Sequence, residues 1–352
     1  MNTAIVHTHT QAQRRSLLYL LLALALLLFL MGLDLLTGPA GLSFDSLWSA
    51  LWAGPKGIAA DGSNRKIITI LWQVRLPPTL MGTLVGLSLG LAGLQMQTIL
   101  DNPLASPFTL GFSAAAGFGA ALAIMFGGFL AVPAFILVPS AAFVMTLFAC
   151  GLIYVLAMLR SAALEVLVLG GIAVLFFFQS IQSLLQYLAS PEVLQQIVFW
   201  LFGSLLKSSW TSIAVLTVVL LLCLPWIARD TWALTTLRLG EANAQSLGVA
   251  VEQLRRRSFM IVALLTAAAV AFVGTIGFVG LVAPHIARAL VGEDHRFSLP
   301  MSAMVGAIVL IGASVLGKWI SPAAVIPVGI ITAVAGVPML FLIILRRTGR
   351  NT

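Results

Sequence analysis

The pattern nearest to a catalytic motif in this sequence is a glycine-rich string close to its C-terminal end. Gly312, Gly317 and Lys318 have the G-x4-G-K spacing of a phosphate-binding loop. In such a loop a Ser or Thr follows the lysine and its hydroxyl binds Mg²⁺, but Trp319 occupies that place. The string also lies inside an apolar run with no preceding strand. The sequence therefore favours glycine-mediated helix packing over an ATP site.

Other catalytic and metal-binding patterns are weaker still. His285 and His295 have no acidic partner at a spacing that would build an acid–base or nucleophilic site. Cys150 and Cys223 lie in separate apolar stretches without a CxxC or Cys/His pattern, which predicts neither a disulfide nor a metal site. We therefore expect no catalytic residue, no metal site and no cofactor bound by this chain.

The carboxylates are distributed in a way that disfavours ion-coupled transport. Asp34, Asp101, Glu165 and Glu192 fall at the ends of apolar runs or between them. A transporter driven by protons or sodium holds carboxylates or histidines within its spans, because a coupling ion needs a ligand at depth. Energy for any transport is therefore expected to come from outside the chain.

One polar pattern does fall within an apolar run. Gln179, Gln182 and Gln186 recur at helical spacing, with Ser183 beside them, and form a single stripe on one helix face. Uncharged amides in lipid are costly unless they face a polar pathway or another helix. The residues alone leave both possibilities open, because amides also hydrogen-bond between spans.

The elements that must position these residues are transmembrane helices. Of the 352 residues, 60% are hydrophobic and 9% are charged, and the mean hydropathy is +1.08. A soluble domain carries about 25% charged residues. The apolar runs are long and continuous, and they lack the alternation of barrel strands. The predicted fold class is an all-α, polytopic membrane protein that forms one transmembrane domain over 1–352.

Nine apolar runs are long enough to cross a bilayer: 17–36, 78–100, 104–126, 132–159, 164–188, 210–227, 258–278, 299–320 and 328–345. Arginines flank the first and last runs: Arg14, Arg15, Arg346, Arg347 and Arg350. These charges place both termini in the cytoplasm, which requires an even number of crossings. The shorter run 279–290 therefore supplies a tenth span.

The connections follow from this topology. A short N-terminal tail, 1–15, and an arginine-rich loop at about 229–257 are predicted to be cytoplasmic. Topology also accounts for the net charge of +8 without a nucleic-acid partner. On the outer side we expect an extended loop over 37–74 and an amphipathic segment over 191–209 that lies along the membrane surface.

Several short strings along the chain carry more specific information. They are Arg-Leu-Pro-Pro at 75–78, glycines at 82, 86 and 90, Asp-Asn-Pro-Leu-Ala-Ser-Pro at 101–107, the glycine-bracketed segment 240–248, a Gly-rich string at 274–288, Asp-His-Arg at 294–296, and Pro-Val-Gly-Ile-Ile-Thr at 327–332. Together they resemble the FecCD family of binding-protein-dependent ABC permeases, which import iron-siderophores, haem and vitamin B12. The resemblance extends from Arg75 to Arg347.

The resemblance implies a fold and a set of partners. The fold would be that of the vitamin B12 permease type in an inner membrane. The partners would be a second permease subunit, identical or related, two cytoplasmic ATPase subunits that bind ATP and Mg²⁺, and a periplasmic or lipid-anchored substrate-binding protein. An iron chelate is the expected substrate, with haem and cobalamin as alternatives. A secondary transporter or channel and a structural membrane anchor are the rival functions.

The resemblance also assigns roles to residues on the cytoplasmic side. Asn102, Pro103 and Leu104 resemble the cytoplasmic gate, although a plain capping turn would show the same Asn-Pro signal. The segment from Gly240 to Gly248 resembles the loop that docks into the ATPase, against the alternative of a solvated connector. Its expected contact residues are Gly240, Glu241, Ala244, Leu247 and Gly248.

Two further assignments concern the outer face and the channel. Arg75 and Lys318 match positions where the family places basic residues that bind the substrate-binding protein, while anchoring to phospholipid headgroups is the alternative. The helix that carries Gln179, Gln182 and Gln186 resembles the family's channel-lining span, so the resemblance favours the pathway for this stripe.

Overall fold

The computed structural model describes residues 2–38, 41–55, 62–158, 164–321 and 326–348. Met1 of the predicted tail, residue 159 at the predicted end of the fourth span, and Arg350 lie outside these ranges. The described residues form fourteen α-helices and no strand: α1 (Asn2–Leu36), α2 (Phe44–Ala53), α3 (Gly62–Thr69), α4 (Leu76–Ile99), α5 (Phe112–Phe126), α6 (Ala134–Met158), α7 (Leu164–Leu188), α8 (Pro191–Leu201), α9 (Trp210–Leu237), α10 (Glu241–Ser246), α11 (Val251–Val273), α12 (Val279–Val291), α13 (His295–Ile320) and α14 (Val328–Thr348). A π-helical segment, Ile70–Arg75, joins α3 to α4.

Eight helical stretches within the described residues are long and apolar enough to cross a membrane: Gln13–Leu36, Arg65–Ile99, Phe112–Phe129, Ala134–Leu156, Glu165–Leu188, Trp210–Leu237, Val251–Val273 and His295–Ile320. Two shorter apolar helices, Val279–Val291 and Val328–Phe341, coincide with the remaining predicted spans. Each of the ten predicted runs therefore corresponds to a helix. The predicted all-α, polytopic fold class is confirmed.

The described parts of the predicted outer loop, 37–38, 41–55 and 62–74, include helices. They contain α2, α3 and the π-helical turn. Ser43 caps α2 by accepting a hydrogen bond from Ser46 N at 3.3 Å, and Leu47 is buried in a cluster with Leu35 and Leu71. The Gly- and Ser-rich composition suggested a loop, but two turns of helix suffice to bury an apolar face against the end of α1.

The predicted arginine-rich loop at about 229–257 is also shorter than expected. Helix α9 continues to Leu237 and α11 begins at Val251, so only 238–250 lies between the two long helices. A helix satisfies its own backbone hydrogen bonds and can continue past the bilayer surface. The arginines at 229 and 255 therefore lie within helices that continue beyond the predicted apolar runs.

Helix α4 is the central element of the bundle and packs most closely against α13. At Gly86, an added Cβ would lie 2.4 Å from the Ala307 Cα, and at Gly90 it would lie 2.2 Å from the Ser302 carbonyl oxygen. The Ser302 hydroxyl donates to the Gly90 carbonyl at 2.8 Å. The glycine ladder thus brings two backbones into contact, as the sequence predicts.

The glycine-rich string at 312–318 lies within the continuous helix α13. An added Cβ at Gly317 would lie 2.7 Å from Ile331 Cδ1 of α14, so this glycine serves helix packing. A phosphate-binding loop needs free backbone N–H groups, and a helix interior uses them in its own hydrogen bonds. The helix-packing interpretation of this string is therefore favoured by the structure.

Candidate coupling and gating site

The glycine-bracketed segment forms a short helix, α10, that stands between α9 and α11. Gly240 precedes it with φ +100° and Gly248 follows it with φ +84°, conformations that favour glycine. Ala244 is fully buried, whereas Leu247 is 53% exposed. The segment is therefore anchored by one small residue and presents a large apolar side chain outward. We call the end of the bundle that carries it the α10 end.

A salt bridge connects α10 to its neighbours. Arg255 of α11 places Nη2 2.7 Å from Glu241 Oε2, at the first position of α10. The same guanidinium donates from Nε to the Ile99 carbonyl at 3.2 Å, at the last residue of α4. One arginine therefore contacts the start of α10 and the end of the central helix. The sequence predicts Arg255 only as a topological charge.

The predicted gate residues form a tight turn, which we call the 101–104 turn. Asn102 Oδ1 accepts a hydrogen bond from the Leu104 N–H at 2.9 Å, and the Asn102 N–H donates to the Gln97 carbonyl at 3.1 Å. Asp101 has φ +43°, which is uncommon for a residue other than glycine. Pro103 is half-buried and Leu104 is exposed. The capping geometry is thus present, and gating by the turn stays a prediction.

An ionic network joins this turn to two other elements at the α10 end. Arg238, directly after α9, lies 3.0 Å from Asp101 Oδ1 and 3.2 Å from Glu293 Oε2. Arg288 of α12 approaches Glu293 at 3.8 Å and donates a hydrogen bond to the Gln97 side chain of α4. The network escapes sequence reasoning because its members are far apart in the chain. Charges at the ends of predicted spans are the one local signal for it.

The start of α13 is held by a buried histidine. His295 Nε2 lies 2.8 Å from Thr98 Oγ1 of α4, and its Nδ1 lies 3.3 Å from Thr235 Oγ1 of α9. Asp294 caps the helix and binds Arg296. Burial raises the pKa of the Asp294 carboxyl, but the hydrogen bonds and charge of Arg296 outweigh it, so that the pKa lies below its ordinary value. His295 therefore joins the start of α13 to α4 and α9.

The opposite end of the bundle holds the two predicted docking residues, Arg75 and Lys318. Arg75 is 6% exposed and donates to the carbonyls of Leu35 and Thr37 at 2.8 and 2.5 Å. Lys318 Nζ lies 2.7 Å from Asp34 Oδ1, and Asp34 is fully buried. Both cations therefore have partners within the chain. The two predicted partners, a binding protein and phospholipid headgroups, did not include such internal contacts. Docking by these side chains stays a prediction, and their observed contacts join α1 to α4 and α13.

The predicted glutamine stripe lies on a partly exposed face of α7. Gln179 is exposed, while Gln182 and Gln186 are half-buried. Gln182 Oε1 occupies space beside α5, since an added Cβ at Gly117 would lie 2.4 Å from it. Within the described part of the chain, the three amides form no hydrogen bond with a neighbouring helix. The stripe is thus available to a pathway or to a second subunit.

The chain is similar to known transport proteins along most of its length. The FecCD transport family matches residues 24–346. The molybdate import system permease protein MolB of Haemophilus influenzae is 34% identical over 91% of this chain and 93% of its own. The Fe(3+)-citrate import system permease protein YfmD of Bacillus subtilis is 34% identical over 92% of each chain. A solved metal-chelate type ABC transporter in an inward-facing conformation has a TM-score of 0.81 and 31% identity, over 93% of this chain and 99% of that one.

These matches span nearly the whole chain and agree with its helical architecture. Members of this family are transmembrane subunits that work with separate ATPase subunits and a substrate-binding protein, and they are not enzymes themselves. The chain therefore belongs to the FecCD transport family and is a multi-pass permease subunit of an ABC importer.

Proposed function

We propose that this chain carries an iron chelate, of the iron-siderophore type, across the cytoplasmic membrane into the cell. Support for the substrate comes from the relative named for Fe(3+)-citrate import and from the solved metal-chelate type transporter. The molybdate relative shows that the family also serves an oxyanion, and haem and cobalamin are the alternatives from the sequence. A secondary transporter or a structural anchor fits less well, because neither needs the exposed, glycine-bracketed helix α10.

The observation that supports ATP-driven transport in this proposal is the geometry of α10. Its one buried residue, Ala244, holds it to the bundle, and Leu247, which precedes Gly248, is 53% exposed. A short helix with an exposed apolar side chain fits a groove on a partner protein. We assign that groove to one of two cytoplasmic ATPase subunits, which bind ATP and Mg²⁺. Both termini would then lie in the cytoplasm, on the side of α10.

The remaining assignments follow from this orientation. The 101–104 turn lies at the same end and would close the pathway on the cytoplasmic side. The stripe of Gln179, Gln182 and Gln186 would line the pathway, formed together with a second permease subunit, identical or related. A periplasmic or lipid-anchored binding protein would dock at the opposite end. Arg75 and Lys318 already have partners within the chain. Their role in docking would therefore be to hold in place the helix ends that form the docking surface.

Reconstitution tests the proposal directly. The chain, its ATPase and its binding protein are placed in proteoliposomes, and uptake of a ⁵⁵Fe-siderophore is measured with ATP present and absent. The permease alone should neither bind nor hydrolyse ATP, and uptake should require all components. Competition by unlabelled haem, cobalamin and molybdate identifies the substrate class. ATP hydrolysis by the permease alone, or uptake driven by an ion gradient without ATPase, would contradict the proposal.

A further inference from the structure

The α10 helix is too short to transmit a movement by itself. It has six residues and a glycine with positive φ at each end. Isolated helices shorter than about 12 residues are marginal in water, so α10 depends on contacts with its neighbours for its position. A displacement imposed on α10 must therefore reach the rest of the bundle through side chains that bridge the two.

Arg255 is the first such bridge. Its guanidinium binds Glu241 at 2.7 Å and the Ile99 carbonyl at 3.2 Å, and its side chain is 15% exposed. The Ile99 carbonyl belongs to the last turn of α4, where carbonyl groups lack helical partners and attract cations. The Arg255 guanidinium therefore binds the end of α4 and, at the same time, Glu241 at the start of α10, so that it connects the two helices.

Arg238 is the second bridge. It lies two residues before Gly240 and binds Asp101 of the 101–104 turn at 3.0 Å. Asp101 has φ +43°, a conformation that costs energy in a non-glycine residue and persists where neighbouring groups hold it. The ion pair between Arg238 and Asp101 thus ties the turn to the residues that directly precede α10.

We infer that Arg238 and Arg255 are positioning residues that link α10 mechanically to the 101–104 turn and to the end of α4. The inference rests on the proposed function, in which α10 receives the movement of the ATPase and the turn closes the pathway. Arg238, directly before α10, and Arg255, in the helix after it, contact the same short stretch, 99–101. A shift of α10 would therefore pull on this stretch through both.

A linking role for these arginines predicts a different result from a purely structural role when they are replaced. The carboxylates of Asp101 and Glu241 are 77% and 45% exposed, while the Arg238 and Arg255 side chains are 28% and 15% exposed. Solvent around both carboxylates screens the two ion pairs, which limits their contribution to folding stability. Replacing either arginine should therefore leave the protein folded and inserted. The transmitted movement depends on the bridging geometry, so the ratio of uptake to ATP hydrolysis should change.

The test uses the complete transporter in proteoliposomes, with ⁵⁵Fe-siderophore uptake and phosphate release measured in parallel. Arg238→Gln and Arg255→Gln should each lower uptake per ATP hydrolysed by about fivefold or more, the lower range of coupling between sites. Arg255→Lys, which keeps the charge, should recover part of the ratio. Arg296→Gln is the matched control, since its 2.7 Å ion pair joins residues only two apart, Asp294 and Arg296, and bridges no elements. It should behave as wild type.

The outcomes are distinguishable from failure of the proposed function. If the wild-type transporter shows no ATP-driven uptake, the proposed function fails. If the wild type transports and both Gln variants keep its uptake-to-ATP ratio, the link is refuted. Loss of ATPase binding in the Gln variants, measured by size-exclusion chromatography, would also overturn the inference, because it would assign these arginines to docking.

Discussion

Adding one methyl group at Gly90 should force apart helices α4 and α13. The new Cβ would lie 2.2 Å from the Ser302 carbonyl oxygen and 2.8 Å from its carbon. Both atoms belong to the backbone, so no side chain can rotate away to make room. The movement would also stretch the 2.8 Å hydrogen bond that the Ser302 hydroxyl donates to the Gly90 carbonyl.

The size of the effect follows from these distances. A carbon–oxygen contact needs about 3.3 Å, so the two helices must separate by about 1 Å. Overpacking of this kind costs about 1–3 kcal/mol, and the weakened hydrogen bond costs about 1 kcal/mol more. The higher helix propensity of Ala returns about 1 kcal/mol. We therefore expect Gly90→Ala to lower the free energy of unfolding by about 1–3 kcal/mol.

Gly312→Ala is the matched control on α13 itself. An added Cβ at Gly312 meets no atom within 4 Å, so this change should keep or raise stability. The measurement is the free energy of unfolding in detergent micelles, obtained by SDS titration and followed by circular dichroism. The two variants should differ by about 1–4 kcal/mol. Equal stabilities would show that the close contact at Gly90 does not constrain the helix pair.

Three further predictions concern the coupling segment, the stripe and the buried ion pair. Gly248→Trp should abolish most ATP-driven uptake while the protein stays inserted, because φ +84° disfavours any side chain there and the indole would alter the docking surface. Normal uptake with an intact complex would contradict the docking role. In a background without Cys150 and Cys223, Gln182→Cys should react with a charged thiol reagent faster than Leu185→Cys, since Leu185 is 8% exposed, and equal slow labelling would make the stripe a packing feature. Lys318→Met should destabilise the protein by about 3 kcal/mol, because it leaves the Asp34 carboxylate buried without its cation. Adding Asp34→Asn to the same chain should recover part of that loss, as measured by SDS titration.

Local properties of the chain explain why most helices could be predicted. The length of an apolar run is set by neighbouring residues, and it determines whether that run can cross a bilayer. The segment 240–248 could also be predicted from local residues, because glycines at both ends and small residues between them indicate a short helix. The sequence did not predict the short helices within 37–74 or the continuation of α9 and α11 into 229–257. In both places helical turns lie outside the long apolar runs, and they are too short or too charged to be recognised as membrane spans.

The sequence by itself determined the membrane-spanning class, the number of apolar runs and the absence of a complete catalytic motif. Only the tertiary structure decided which charged groups meet. Lys318 binds Asp34 across 284 positions, and Arg238 binds Asp101 across 137. Because any lysine at the end of a span is equally compatible with lipid, a docked protein or a buried carboxylate, its partner depends on which helices pack together. That packing arises from close backbone contacts such as Gly90 with Ser302, in which two distant segments must fit each other in three dimensions.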